Sequence, residues 1–384
     1  NGTLITERRA NRLARIPSDR LHFNFSLDGD RIANDEIRSD GMFDRAISGY
    51  KRIRAADSAA GNARRKILAN TILHARNASR FHDILDEQAA LGFDGVQILN
   101  LFRQGDEVPD ETAGLWFDPN SLSDLTALTE SLARRVEGQG VIGYRIQNSA
   151  ENLRQIPQYY RDELKPLEAP CWAGWKELYI NADGEAIMCD GALDFLNGRF
   201  GNVREQTLRQ LWASPALKER RAVVKSCTSP CVQDCYLRQE SDSAKSLMND
   251  AVRLVARRLK NRLARFNPKV RYFPATVLRM ELSDVCPCGV PYCTTPAHRW
   301  ERLTDGLPKS IDAREWARFR DQGRIDFGRG FMGFEVVRAI VDDLRSKRMR
   351  FGTLSVRWRG EPLLHPEVEP ILRHLLNVIA EGDV

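Results

Sequence analysis

Six of this chain's eight cysteines fall into two tight triplets, Cys227, Cys231, Cys235 and Cys286, Cys288, Cys293. The other two, Cys171 and Cys189, bracket a short hairpin pattern, and none lies in the first 170 residues. No basic stretch followed by an apolar run opens the sequence, so it reads as cytoplasmic. In that compartment clustered cysteines point to a metal rather than to disulfides. Buried, unliganded thiols are the plainer alternative, but a Cys-x3-Cys-x3-Cys run is rarely accidental. Four soft thiolates meeting at one point suit an iron–sulfur cluster or a structural zinc, and spacing does not separate the two.

The rest of the chain must then supply scaffolding. Its 384 residues suffice for one large or two medium domains with real cores. With 42% hydrophobic and 29% charged residues the composition is that of an ordinary globular protein. The net charge of +6 is too weak to imply nucleic acid. No apolar run approaches the length of a membrane span.

Apolar patterning predicts strands over 21–28, 66–73 and 93–99, and helices over 41–55, 79–91 and 121–136. Strand and helix alternate, which predicts an α/β fold with a parallel sheet. The polar, proline-containing stretch 147–170 reads as a boundary. Beyond it, "LYINADGEAIMC" reads as two short strands around Gly184, which is free to take positive φ. A helix is expected over 205–221. Residues 249–266 pattern as a basic amphipathic helix with Val252, Val255, Leu259, Leu263 and Phe266 on one face. Such a helix suits a membrane surface or partner, or its own domain. A strand over 276–283 leads into the second cysteine triplet. A helix over 332–346, a strand over 352–358 and a helix over 366–380, after Pro366, restore the alternation.

At this point several stretches resemble the radical SAM family, in the branch with a C-terminal SPASM or Twitch domain. "LRMELSDVC…PYC" resembles the first barrel strand and its cluster loop. "WRGEPLLHPE" at 358–367 resembles the Gly-Gly-Glu-Pro motif after the second strand. "NGTLIT" at 1–6 resembles the end of the third strand, and "FSLDGDRIANDEIRSDGMFDRAISGYKRI" resembles the fourth strand with the stretch after it. "CWAGWKELYINADGEAIMCD" with "FGNVREQTLRQLWASPALKERR" and "CTSPCVQDC" resembles the auxiliary-cluster domain. The resemblance implies a partial (β/α)6 TIM-like barrel with a small cysteine-rich α+β auxiliary domain. It assigns 1–150 to the later barrel strands, third to sixth, and 151–243 to the auxiliary domain. It leaves 244–275 as helix and linker, and gives 276–384 to the first strands. The motifs of the first two strands come after the auxiliary domain instead of before the third strand, and Met248 stands where an enzyme in the family order could start, so the expectation is a circularly permuted enzyme in which the strand at 276–283 lies beside that at 352–358 in one barrel. A fragment spanning two tandem copies is the rival.

The resemblance also implies chemistry. Three cysteines hold a 4Fe–4S cluster that chelates S-adenosylmethionine and cleaves it reductively to a 5′-deoxyadenosyl radical, which takes hydrogen from a substrate. Cys286 and Cys293 have the family's outer spacing, but the middle position of Cys-x3-Cys-x2-Cys is Val290 and Cys288 stands off register. Either Cys288 supplies the third thiolate or the site has two. Gly360, Glu361 and Pro362 match the motif that meets the cofactor amino group, with Arg359 in place of its first glycine. Ser26 and Asn70 stand where the family meets ribose or carboxylate; either could equally be a turn or cap residue. Arg38 serves the cofactor or pairs with Asp35. Tyr292 resembles the aromatic near adenine. His298, His365 and His374 are expected at the surface or behind the site. One auxiliary 4Fe–4S cluster is expected on Cys171, Cys189, Cys231 and Cys235, with Cys227 competing. The implied partners are a peptide or a small-molecule alcohol as substrate and a flavodoxin or ferredoxin as reductant, with no nucleic acid. The Val290 departure leaves a catalytically dead iron–sulfur or zinc-binding protein as the alternative to an enzyme.

Overall fold

The structure is a computed structural model. It describes residues 1–17, 21–62, 64–101, 114–140, 142–161, 163, 171–188, 198–225, 271–272, 275, 277–284, 286, 330–347, 349–351, 353–356 and 360–380. These fall into two compact units, one within Asn1–Lys165 and the other from Cys171 onward.

In the first unit, α1 (Glu7–Leu13) starts at Thr6, whose hydroxyl accepts from the Arg9 amide. It is followed by β1 (Phe23–Ser26), α2 (Arg31–Arg38), α3 (Met42–Ala59), β2 (Ile67–Leu73), α4 (Phe81–Ala90), β3 (Gly95–Asn100), α5 (Leu122–Gly138), β4 (Arg145–Ile146) and α6 (Ala150–Tyr160). The strands form one sheet in the order β1-β2-β3-β4, every neighbouring pair parallel. Consecutive parallel strands with helical crossovers are the repeating step of a (β/α) barrel. Along β2, Ile67, Ala69, Thr71 and Leu73 are buried and the intervening residues half-buried, the period-two pattern of a pleated strand. Phe25 meets Tyr50 and Phe93 edge-on, and Tyr50 stacks on Phe93 at 4.4 Å between ring centroids. Fully buried Arg65 is neutralised by Asp57 (2.7 and 2.9 Å) and donates to the carbonyls of Leu21 and Ile16.

The second unit comprises β5 (Glu177–Ile180), β6 (Glu185–Ile187), β7 (Arg199–Asn202), α7 (Leu208–Trp212), α8 (Pro215–Lys225), β8 (Arg271–Tyr272), β9 (Val277–Met280), α9 (Phe334–Ser346), β10 (Met349–Arg350), β11 (Thr353–Ser355) and α10 (Val368–Ala380). Its main sheet runs β11-β9-β5-β6-β7, while β8 and β10 form a parallel pair. The β5–β6 hairpin and β7 are antiparallel; β9 is parallel to both β11 and β5.

The expected class holds: a mixed α/β chain with parallel sheets of the partial-barrel kind and a cysteine-rich segment built on a hairpin. Three details differ. The stretch read as a boundary contains α6, opened by Ser149 and packed on α5, so the first unit runs to Lys165 rather than 150. The helix expected over 205–221 is two helices, because Pro215 has no amide proton with which to continue α7. And β9 does lie beside β11, but their sheet continues into β5 instead of joining β1–β4. Residues 1–6 form a turn, with Asn1 Oδ1 accepting from the Thr3 amide at 3.0 Å. The basic stretch 249–266 lies outside the described residues. No described helix is long and apolar enough to cross a membrane.

Candidate cluster and cofactor sites

The segment that carries Cys286 is held from three sides. β9 delivers the chain to buried Leu282 and Ser283, and there Ser283 makes a bridge with Phe331. The Met332 amide donates to Leu282 O (2.9 Å) and the Asp284 amide to Gly330 O (3.0 Å). From another side comes Gly360. A Cβ at this position would stand 1.9 Å from Ser283 O and 2.8 Å from Asp284 Cα, so only glycine admits this approach of two backbones. Directly after it, Glu361 is buried and its Oε1 accepts from the Leu363 amide (3.1 Å), capping the 3-10 turn Pro362–Leu364. That turn ends at His365, whose Nε2 meets Met332 O (2.7 Å) while Nδ1 accepts from the Glu367 amide (3.0 Å). Since Nδ1 is the acceptor, the ring is neutral with its proton on Nε2. Burial pushes its pKa down from 6.5 to about 4. His365 is therefore a strut inside the fold behind the Gly-Glu-Pro turn, the second of the two places expected for it, and not a surface residue. His374 stacks edge-on against Phe334 at 5.5 Å.

Cys286 itself is half-buried, two residues past Asp284. Cys288, Val290, Tyr292, Cys293 and His298 lie outside the described residues, as does Arg359.

At the auxiliary segment, half-buried Cys171 opens a turn and its Sγ accepts from the Ala173 amide at 3.3 Å. Gly174 sits in this turn at φ +79°, against the side chain of Met188, the residue before Cys189. Arg221 of α8 donates to Gly174 O (2.8 Å) and stacks on Trp212 and Trp175, with its guanidinium carbon 4.5 and 5.6 Å from the ring centroids. The elements leading to Cys189 and to Cys227 thus both fasten to the Cys171 turn. Cys189, Cys227, Cys231 and Cys235 lie outside the described residues, and among the described residues no three His, Cys, Asp or Glu side chains gather as a metal site requires.

In the first unit, Ser26 and Asn70 are register partners on β1 and β2; Ser26 ends β1, whereas Asn70 is the middle residue of β2 and not at a strand end. Asn70 Oδ1 accepts from Asn24 Nδ2 (2.9 Å). Ligands of parallel α/β folds bind at the carboxyl ends of the strands, where Ser26 lies. Arg38 pairs with Asp28 (Nε to Oδ2, 2.6 Å), not with Asp35. The Asp35 carboxylate is taken by the amides of Gly41 and Phe43 (2.8 and 2.7 Å), which open α3. Asp28 also accepts from the Ile72 amide, and Asn77 Nδ2 bonds to the carbonyls of Asp28 and Ile72, so the loops after β1 and β2 are stitched together. His74, one residue past β2, lies fully buried beside this network with neither ring nitrogen hydrogen-bonded. Burial, reinforced by Arg76 and Arg38 against the pull of Asp28, lowers its pKa to about 4. Sequence reasoning passed over His74. The only signal was its place one residue past a strongly alternating strand.

Residues 171–236 match the family model of SPASM, an iron–sulfur cluster-binding domain. The chain is 27% identical over 224 residues to a PqqA peptide cyclase of Granulibacter bethesdensis, covering 58% of this chain and 54% of that one. It is 23% identical over 259 residues to the tungsten-containing aldehyde ferredoxin oxidoreductase cofactor-modifying protein of Pyrococcus furiosus, covering 64% and 67%. A solved structure, native anSMEcpe with bound AdoMet and Kp18Cys peptide, superposes with a TM-score of 0.44 at 15% identity, covering 60% and 64%. The chain spans about half the length of the peptide cyclase it matches. Residues 171–236 therefore match a SPASM iron–sulfur domain, and the chain is similar to the radical SAM proteins of the SPASM branch.

Proposed function

We propose that the chain is a radical SAM enzyme that acts on a peptide. The observation that carries this reading is the seat of Gly360 on Ser283 and Asp284, which sets the Gly-Glu-Pro turn against the segment leading to Cys286. A cysteine two residues past Asp284 and a buried carboxylate directly after Gly360 are residue types that suit an iron–sulfur cluster with a chelated amino acid. In this reading Cys286, Cys293 and a third thiolate hold the first 4Fe–4S cluster, and Gly360, Glu361 and Pro362 receive the amino group of S-adenosylmethionine. When bound, the cluster supplies the electron that cleaves the sulfonium and releases the hydrogen-abstracting deoxyadenosyl radical. The protein's own part is to hold and orient. The Leu363 amide orients the buried Glu361 carboxylate, and His365 locks the turn to Met332. Cys171, Cys189, Cys231 and Cys235, with Cys227 in competition, hold the auxiliary cluster, and a flavodoxin or ferredoxin supplies the electron. The peptide substrate rests on the likeness to peptide cyclases.

Anaerobic reconstitution with iron and sulfide, followed by iron and sulfide counts per chain, tests the metal. About eight irons are expected for two clusters; a zinc-only protein would refute the reading. Dithionite-driven release of 5′-deoxyadenosine from S-adenosylmethionine tests the chemistry, and its absence in a fully loaded protein would leave an iron–sulfur protein without radical activity.

A further inference from the structure

The auxiliary hairpin and the strand that delivers Cys286 are neighbours in one sheet. β5 pairs with β9 in register from Glu177↔Val277 to Ile180↔Met280. The Val277 amide donates back to Lys176 O (3.4 Å) and the Glu281 amide forward to Ile180 O (2.8 Å), so the pairing extends past both ends of the strands. Across it lies an ion pair: Arg279 Nε donates to Glu177 Oε2 (2.6 Å) and a terminal nitrogen to Oε1 (3.2 Å). The Glu177 side chain is 3% exposed and that of Arg279 17%. Arg279 also lies over the ring of Tyr179, its register partner, 5.4 Å from the centroid. A carboxylate so buried is stable only while its partner stays, which makes the pair a register pin. The pin stands six residues after Cys171 and seven before Cys286.

We propose that the Glu177–Arg279 pair is a positioning device for the Cys286 segment, through which the auxiliary domain supports the first cluster site. The proposal rests on the radical SAM reading for the identity of that cluster, but not for the mechanical link itself. Glu177 and Arg279 are positioning residues, since neither is placed among the groups that touch the cofactor. A slip of one residue in the β5–β9 register would turn Arg279 to the opposite face and shift Ser283 relative to Gly360.

The test uses the full chain. In the metal-free protein, hydrogen exchange of the peptide spanning 277–286 is followed by mass spectrometry in wild type, Glu177→Gln, and the double swap Glu177→Arg with Arg279→Glu. Exchange is expected to be roughly tenfold faster in Glu177→Gln, the mark of a buried pair broken locally, and to slow again in the swap. Asp57→Asn, which breaks the buried pair of the first unit, is the control and should leave this peptide unchanged. Equal exchange in wild type and Glu177→Gln, or equal acceleration by Asp57→Asn, overturns the proposal. In the reconstituted protein Glu177→Gln should also weaken the electron paramagnetic resonance signal that responds to added S-adenosylmethionine, with recovery in the swap. An unaltered signal in Glu177→Gln likewise counts against it. If wild type shows no such signal, the radical SAM reading fails while the exchange result still decides the link.

Discussion

Gly360 shows how one absent methyl group can place a motif. Its backbone rests on Ser283 and Asp284, and the atom that a larger residue would strike is a carbonyl oxygen, which cannot swing aside as a side chain can. Gly360→Ala should therefore cost about 1–3 kcal/mol of stability, the usual toll of overpacking, measurable as a lower urea midpoint, and should lower iron retained after reconstitution. An alanine variant as stable as wild type would mean that the two segments part without loss. The cysteine loop offers a second test. Val290→Cys supplies a thiolate at the family's spacing, so iron content should rise if the natural site has two ligands. If it stays level while Cys288→Ala bleaches the cluster absorption, Cys288 is the third ligand. Gly360, Glu361 and Cys286 stood out in the sequence because of their types and spacing, and the seat of Gly360 on Ser283 and Asp284 is the part of that pattern with a visible packing reason. The Arg38 partner did not stand out. Asp35 is nearer in sequence, but its carboxylate is spent on the amides that open α3, which leaves Asp28 for the guanidinium.

Elements with a strong period were legible and those with conflicting signals were not. The β2 strand is found as expected because apolar residues alternate along it, and the β5–β6 hairpin because Asn181 and Gly184 define its turn. The Gly184 amide donates to Asn181 O (2.9 Å), Asn181 Oδ1 accepts from the amides of Asp183 and Glu185, and Gly184 has φ +86°. Gly184→Ala forces a side chain into the left-handed region, with its Cβ 2.8 Å from Asn202 Oδ1. A loss of about 1–2 kcal/mol is expected, with faster hydrogen exchange confined to β5, β6 and β7; protection unchanged from wild type would show the turn to be tolerant. By contrast α6 was hidden by Pro157 and a polar flank, although Ser149 at its cap and the buried Leu153, Ile156, Tyr159 and Tyr160 were all there to be read. The β5–β9 pairing had no sequence signal, since its register partners lie one hundred residues apart, and such pairing is set by tertiary packing rather than local pattern.

At the scale of the whole molecule, the two histidines that are fully buried among the described residues, His74 and His365, bear on acid stability. His74 and His365 titrate near pH 4 in the folded chain against 6.5 when unfolded. Below about pH 6.5 the unfolded chain takes up protons that the folded chain refuses, so stability falls as pH drops from 6.5 towards 4. Each should cost about 2 kcal/mol at pH 5 by this linkage. His74→Gln should flatten the decline, and equal slopes for variant and wild type between pH 7 and 5 would show that His74 is not the group responsible. The alternation of strand and helix conveyed the fold class, but not how the strands divide between sheets, which rests on pairings between distant segments such as β5 and β9. The central place of β5 in the five-stranded sheet has a practical consequence. A polypeptide starting near residue 276 would carry β9 with one flank stripped of its neighbour, and one ending near 243 would bare the facing edge of β5. Unpaired edges of this kind invite other chains to dock along them. Attempts to produce the cysteine-triplet halves separately should therefore yield sticky, self-associating material, and co-expression of the two pieces should restore solubility by letting each edge find the other.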